Sequence, residues 1–266
     1  RHILSKEEYY KTFPYDLYAD ETNKYKWEKD TKVIDKTFDT GTKTEYDLAA
    51  EIKNLKAGTY IIEANCKDKF GEEIKAFCYV TAFNKNGNDM PELVPEWYYI
   101  NKTTAEPGET ISFIYNSAYP NTNFMYEVER QSQLLSSKLV PVSMKSNDIK
   151  VEEADRGNFA IHCSYIRHNR FYSNDQVIYV PYTNKELDIQ FETFRNKLLP
   201  GQAEEWKLII KDKKGEKAAA EMVASMYDAS LDAFRPNYWS FSVFHSYYTN
   251  LQWAANTDRQ TNSTEL

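Results

Sequence analysis

The chain has 266 residues with 40 acidic and 33 basic side chains mixed along it, for a formal net charge of −7, so there is no basic stripe to neutralise phosphates and nucleic-acid binding is disfavoured. No apolar run reaches the roughly 18–20 residues of a membrane span, and a length above the roughly 100–150 residues of one domain leaves room for two or three. Aromatics make up 15 % (21 Tyr, 14 Phe) against only 8 Gly, a balance that favours half-buried strands over helices.

The chain opens at Arg1-His2-Ile3-Leu4-Ser5-Lys6 without an initiator Met or the pattern of a signal peptide, as expected for a processed product or a piece of a longer protein. Residues 1 to about 30 lack sustained periodicity and are expected to be an extended lead-in. Strands are predicted at Lys32–Phe38, Thr44–Leu48 and Gly58–Cys66, with Glu73–Phe83 closing a first unit after a turn at Asp68–Gly71. Ile74, Ala76, Cys78 and Val80 share one face of that last strand. The segment Asn84–Asp89, with Pro91 and Pro95, reads as a linker.

A second unit follows with seven predicted strands: Trp97–Ile100, Thr110–Tyr115, Phe124–Glu129, Lys138–Met144, Asp148–Val151, Asn158–Ile166 and Asp175–Val180. Seven short strands separated by turn signals predict an antiparallel sandwich. Pro141 assigns the fourth strand to an edge, because proline has no N–H for a second ladder.

The third unit runs through Leu187–Phe234: an alternating strand, a Pro200-Gly201 turn, a strand around Trp206, and a Gly215 turn. Lys217–Phe234 is rich in helix formers, yet the Gly215 turn wants a partner for Glu205–Lys211. The prediction is a strand over Ala218–Tyr227 and a short helical turn over Ala229–Phe234 with Asp228 as N-cap. Trp239, Phe241 and Val243 form one more alternating candidate strand, and Ala254–Leu266 is polar.

Two internal echoes tie the units together. Pro107-Gly108 returns as Pro200-Gly201, 200 − 107 = 93 residues later, and Gly58–Ala64 resembles Gly157–Cys163, 157 − 58 = 99 residues later. The fold class is therefore all-β in tandem antiparallel sandwich modules, with boundaries at 1–94, 95–183 and 184–266.

Candidate chemistry is sparse. His162 and Cys163 are strand neighbours on opposite faces, which makes them a poor metal pair and predicts His162 outward as a surface histidine; His168 belongs to a hairpin loop. Asp228 and Asp232 would share a helical face, read as one cap and one exposed carboxylate against the alternative of an acid–base dyad. Cys66, Cys78 and Cys163 are all expected as free, small buried groups, since pairing across the Asp68–Gly71 turn puts Cys66 opposite residues near 74–75. No catalytic, cofactor-binding or metal-ligating residue is assigned. Adjacent aromatics at Tyr98-Tyr99, Phe171-Tyr172, Tyr238-Trp239 and Tyr247-Tyr248 place one ring outward, for packing between modules or for stacking on sugars. Asn101-Lys102-Thr103 and Asn262-Ser263-Thr264 match the glycosylation tripeptide.

Phe194–Gln202, Trp206-Lys207-Leu208, Lys214-Gly215-Glu216, Ala220-Glu221-Met222 and Ser225–Phe234 together resemble the macroglobulin-like module that precedes and carries the bait region in bacterial proteins of the alpha-2-macroglobulin family. The resemblance implies a non-enzymatic scaffold of a periplasmic or cell-envelope protease trap. Its partners would be proteases, through the full-length parent, and neighbouring modules of the same chain. It also implies a cleavable bait downstream of Phe234. The family's thioester motif Cys-x-Glu-Gln occurs at none of Cys66, Cys78 or Cys163. The alternative reading is an adhesive or glycan-binding surface protein, and a third is a hydrolase gathering Asp228, Asp232 and a histidine.

Overall fold

The computed structural model describes residues 4–85, 87–193, 195, 197–216, 220–224, 226–236, 238, 244–249 and 251. Its centre is a two-sheet sandwich built from residues 97–180. One sheet contains β3 (Trp97–Ile100), β4 (Thr110–Asn116) and β7 (Asn147–Lys150); the other has the order β6-β5-β8-β9, with β5 Asn123–Arg130, β6 Gln133–Pro141, β8 Phe159–Arg167 and β9 Arg170–Ile178. All pairings within the two sheets are antiparallel.

The seven predicted strands are present, and Pro141 ends β6, an edge strand as expected. Two bounds differ. β6 begins at Gln133 rather than Lys138, and β9 at Arg170 rather than Asp175, because tight two-residue turns start the return strands at once. Gln131-Ser132 and His168-Asn169 all have positive φ, the geometry whose twist matches that of paired strands.

Period-two alternation sends Ile111, Phe113 and Tyr115 of β4 and Phe159, Ile161, Cys163 and Tyr165 of β8 into one core, closed by Phe124, Val151, Ile178 and Val180. On the outward side of β8, Ala160, His162 and Ser164 are also buried, and this face opens to solvent at Ile166, 71 % exposed.

The lead-in is not extended. Ser5 and Glu8 form a reciprocal capping box that starts a helix, α1 (Lys6–Thr12). Asp16 then plugs into the sandwich, accepting hydrogen bonds from Tyr119 Oη (2.5 Å), Tyr172 Oη (2.9 Å) and Arg170 Nη1 (2.6 Å). The Arg170 guanidinium lies 3.8 Å from the centre of the Phe13 ring.

Before and after the sandwich in the chain comes a two-stranded ladder. β1 (Gly58–Lys67) pairs with β2 (Glu73–Ala82), and β10 (Leu187–Thr193) with β11 (Lys207–Asp212). The strands predicted at Lys32–Phe38 and Thr44–Leu48 do not form: these residues are irregular, with a short helix α2 at Ala49–Ile52 after them. Cys66 lies opposite Ile74 and Cys78 opposite Ile62, so no disulfide joins them. Contrary to expectation Cys66 and Cys78 are exposed, because no second sheet covers their face; Cys163 is buried in the sandwich.

Of the predicted strand Ala218–Tyr227, the described residues are in no strand, as their alanine-, methionine- and glutamate-rich composition would suggest. The helical turn at Ala229–Ala233 does form, with Asp228 accepting from the Ser230 N–H at 2.9 Å. Trp239, Phe241, Val243 and Ala254–Leu266 lie outside the described residues.

Candidate functional site: a strap over the outer face of the sandwich

Residues 244–249 and 251, downstream of Phe234, lie against the outer face of β8 and the turn before it. Phe244 stacks on Tyr182 at 5.1 Å with 21° between planes, and Tyr182 Oη donates to His245 O. The Tyr247 N–H donates to Gly157 O at 2.7 Å. Gly157 is required here: its φ is +88°, and a Cβ would fall 2.5 Å from Tyr182 Oη and 2.7 Å from His245 O.

Beyond Tyr247 the strap meets a polar cluster. His162 is 2 % exposed, with Nδ1 2.6 Å from Asp175 Oδ1 and Nε2 3.0 Å from Glu129 Oε2. Thr249 Oγ1 donates to Glu129 Oε2 at 2.6 Å and lies 3.2 Å from His162 Nε2, and the Leu251 N–H points at the same carboxylate. Both imidazole nitrogens face carboxylate oxygens, so a doubly protonated ring would donate to both.

The outward prediction for His162 is thus half right. Its direction follows strand alternation, but it is no surface histidine, because Thr249 and Leu251 bring donors to the carboxylate beside it. Glu129 was not singled out by sequence reasoning, yet the signal was there. Glu127 and Glu129 flank inward Val128, and the two-residue turn at His168-Asn169 sets His162 opposite Asp175. The carboxylates occupy opposite ends of one imidazole, and no group of three or more metal-ligating side chains that could hold an ion occurs among the described residues.

The other candidates stay apart from this site. Asp228 caps its own helical turn and Asp232 accepts from Tyr227 Oη at 2.9 Å. His168 packs edge-on against Tyr119 at 5.1 Å. Burial drives the Cys163 thiol far above its ordinary range, and the nearby Glu96 and Asp175 carboxylates push the same way, so it is a poor nucleophile. Asn101 Oδ1 accepts from the Ser112 N–H at 2.9 Å. Asn262-Ser263-Thr264 lies outside the described residues.

The paired aromatics divide. Tyr172 is stacked on Tyr165 and bonded to Asp16, so it offers no platform. Phe83, just after β2, packs against Trp97 at 5.1 Å and Tyr99 at 4.8 Å, so Tyr99 is engaged by another ring of the chain. Tyr98, Tyr238 and Tyr248 are exposed, and Trp239 is outside the described residues.

No family model matches the chain, and no curated protein is significantly similar to it.

Proposed function

We propose that this chain is a non-catalytic scaffold segment of a protease trap of the alpha-2-macroglobulin type, assembled from tandem macroglobulin-like modules in the cell envelope. The observation that carries the reading is that two turn designs recur about one module or more apart. At Glu106–Glu109 and at Leu199–Gln202, a Pro-Gly pair bends the chain with glycine φ of +94° and +77°. In each the fourth residue's N–H donates to the first residue's carbonyl, while its side-chain oxygen accepts from the first residue's N–H.

The second design is at Asp68–Glu72 and Asp212–Glu216. In both, the aspartate Oδ1 accepts from the N–H groups two and four residues on, the glycine N–H donates to the aspartate carbonyl, and the aspartate N–H donates to the glutamate carbonyl. Such agreement in side-chain and backbone bonding favours repeated modules over coincidence. A strap that leaves the third unit and returns to the second fits a segment held at both ends, with the residues downstream of Phe234 as the bait.

The test is limited proteolysis of the full-length parent. Preferred first cleavage downstream of Phe234, with the protease retained in the product, is expected. Cleavage spread evenly over the chain, or no retention of any protease, would remove the trap role.

A further inference from the structure

A cleft of about 430 Å³ opens between the N-terminal segment and the start of β3, within the roughly 300–1,000 Å³ usual for ligand sites. It lies apart from the strap and does not depend on the trap reading. Tyr9, Trp97 and Tyr98 contribute aromatic walls, and Asp16, Glu92, Glu96 and Arg170 contribute the charges.

Those charges are not equally free. Asp16 is spent on Arg170, Tyr119 and Tyr172. Glu92 takes Lys24 Nζ at 2.7 Å and the Thr59 hydroxyl on its Oε1. Glu96 receives one neutral donor, Tyr115 Oη at 2.9 Å; no Lys or Arg among the described residues pairs with it. Burial, and more weakly the Asp175 charge, raise its carboxyl above the ordinary glutamate range. The cleft is therefore short of one positive charge, and it is lined as well by Trp97 and the exposed Tyr98, aromatic residues whose ring faces attract cations. An anion has no such reception, because the Arg170 charge is already taken by Asp16.

We propose that this cleft seats one lysine or arginine side chain of a partner polypeptide, with the ammonium or guanidinium on Glu96 and its alkyl stem along Trp97 and Tyr98. The stem supplies apolar contact and the head a charge-assisted hydrogen bond, so neither an uncharged isostere nor a compact inorganic cation can satisfy both halves.

The experiment titrates the full chain with acetyl-Gly-Arg-Gly-amide and acetyl-Gly-Lys-Gly-amide, following the Trp97 indole and Tyr98 amide signals by NMR. Peptides with citrulline or acetyl-lysine at the centre are the neutral controls, and spermidine represents a free polyamine. Saturable binding in the millimolar range or tighter is expected for the two charged peptides. Glu96→Gln, which keeps an acceptor for Tyr115, should weaken it about tenfold, the worth of one hydrogen bond to a charged group. Tyr98→Ala, on an exposed ring, should weaken it several-fold and decides the matter if Glu96→Gln fails to fold. Neutral peptides that bind as well, the absence of saturation, or indifference to the substitutions would overturn the proposal. Tighter binding of spermidine than of either peptide would overturn the polypeptide source.

Discussion

The sandwich at residues 97–180 and the ladder β1–β2 are written in the same alternation and end in opposite states. On β1–β2 one face carries Tyr60, Ile62, Ala64 and Cys66 opposite Val80, Cys78, Ala76 and Ile74, as apolar a surface as the inner face of β8. Yet Ile62 and Ile74 are about half exposed, while Ile161 and Phe113 are at 0 %. The same contrast holds for Leu187, Ile189 and Phe191 on β10. Alternation determines which side of a strand is apolar, but burial requires a second sheet to face it. The sandwich contains both of its sheets; each ladder contains one.

The comparison is tested first in the cores. Ile161→Ala should cost about 2–5 kcal/mol in denaturant unfolding, whereas Ile74→Ala or Ile189→Ala should cost well under about 1 kcal/mol, because half of each side chain is already in water. Equal costs would mean that the ladders are packed in solution. Next is the plug at Asp16. Asp16→Ala strands Arg170, Tyr119 and Tyr172, and breaking a buried pair costs about 3–5 kcal/mol; partial exposure of Arg170 reduces the expectation to about 2–3 kcal/mol. Calorimetry on the variant checks it.

Gly157→Ala should act on the strap more than on the sandwich. The added methyl collides with Tyr182 and His245, so the Tyr247 amide should lose its protection from hydrogen exchange while core amides of β8 keep theirs. A smaller effect is expected at the paired aspartate turns. Gly71→Ala and Gly215→Ala meet no neighbouring atoms, only φ of +85° and +82°, so each should cost about 1–2 kcal/mol in its local turn. Similar values for the two would agree with one turn design used twice. Finally, Cys66 and Cys78 should react promptly with iodoacetamide and Cys163 only on unfolding. Three reactive thiols, or one, would contradict the difference in cover.

Much of the sandwich was legible because every signal agreed: turn residues at short intervals, alternation between them, and proline at an edge. The failures have physical causes. Lys32–Phe38 has β-branched residues and Thr44–Leu48 alternates, but a strand needs a partner, and nothing in their own residues supplies one. The helix α1 was missed because seven residues show less than two full turns of periodicity; its capping box, Ser5 followed three residues later by Glu8, was the readable sign. His162 was assigned the right side and the wrong environment. Strand geometry gives direction, whereas its cover comes from residues more than eighty positions later in the chain. The His162–Asp175 pair was implicit in the register of a two-residue hairpin, but Glu129 comes from the non-consecutive pairing of β5 with β8, and the docking of Thr249 and Leu251 depends on tertiary proximity alone. The cleft at Glu96 was likewise hidden, because its walls come from the N-terminal segment and from β3.

The central claim is that the sandwich is the packed hub of this chain and holds one segment that precedes it and one that follows it in sequence, residues 5–18 through Asp16 and residues 244–249 and 251 through Gly157 and the His162–Glu129 pair. Hydrogen exchange of the intact chain, read by mass spectrometry, tests it most directly. Protection of peptides covering Tyr9–Asp16 and Tyr247–Leu251 along with β4, β5 and β8, against rapid exchange of β1–β2 and β10–β11, is the predicted result. Exchange of both held segments at the unfolded rate, or ladders protected as strongly as the sandwich, would contradict it.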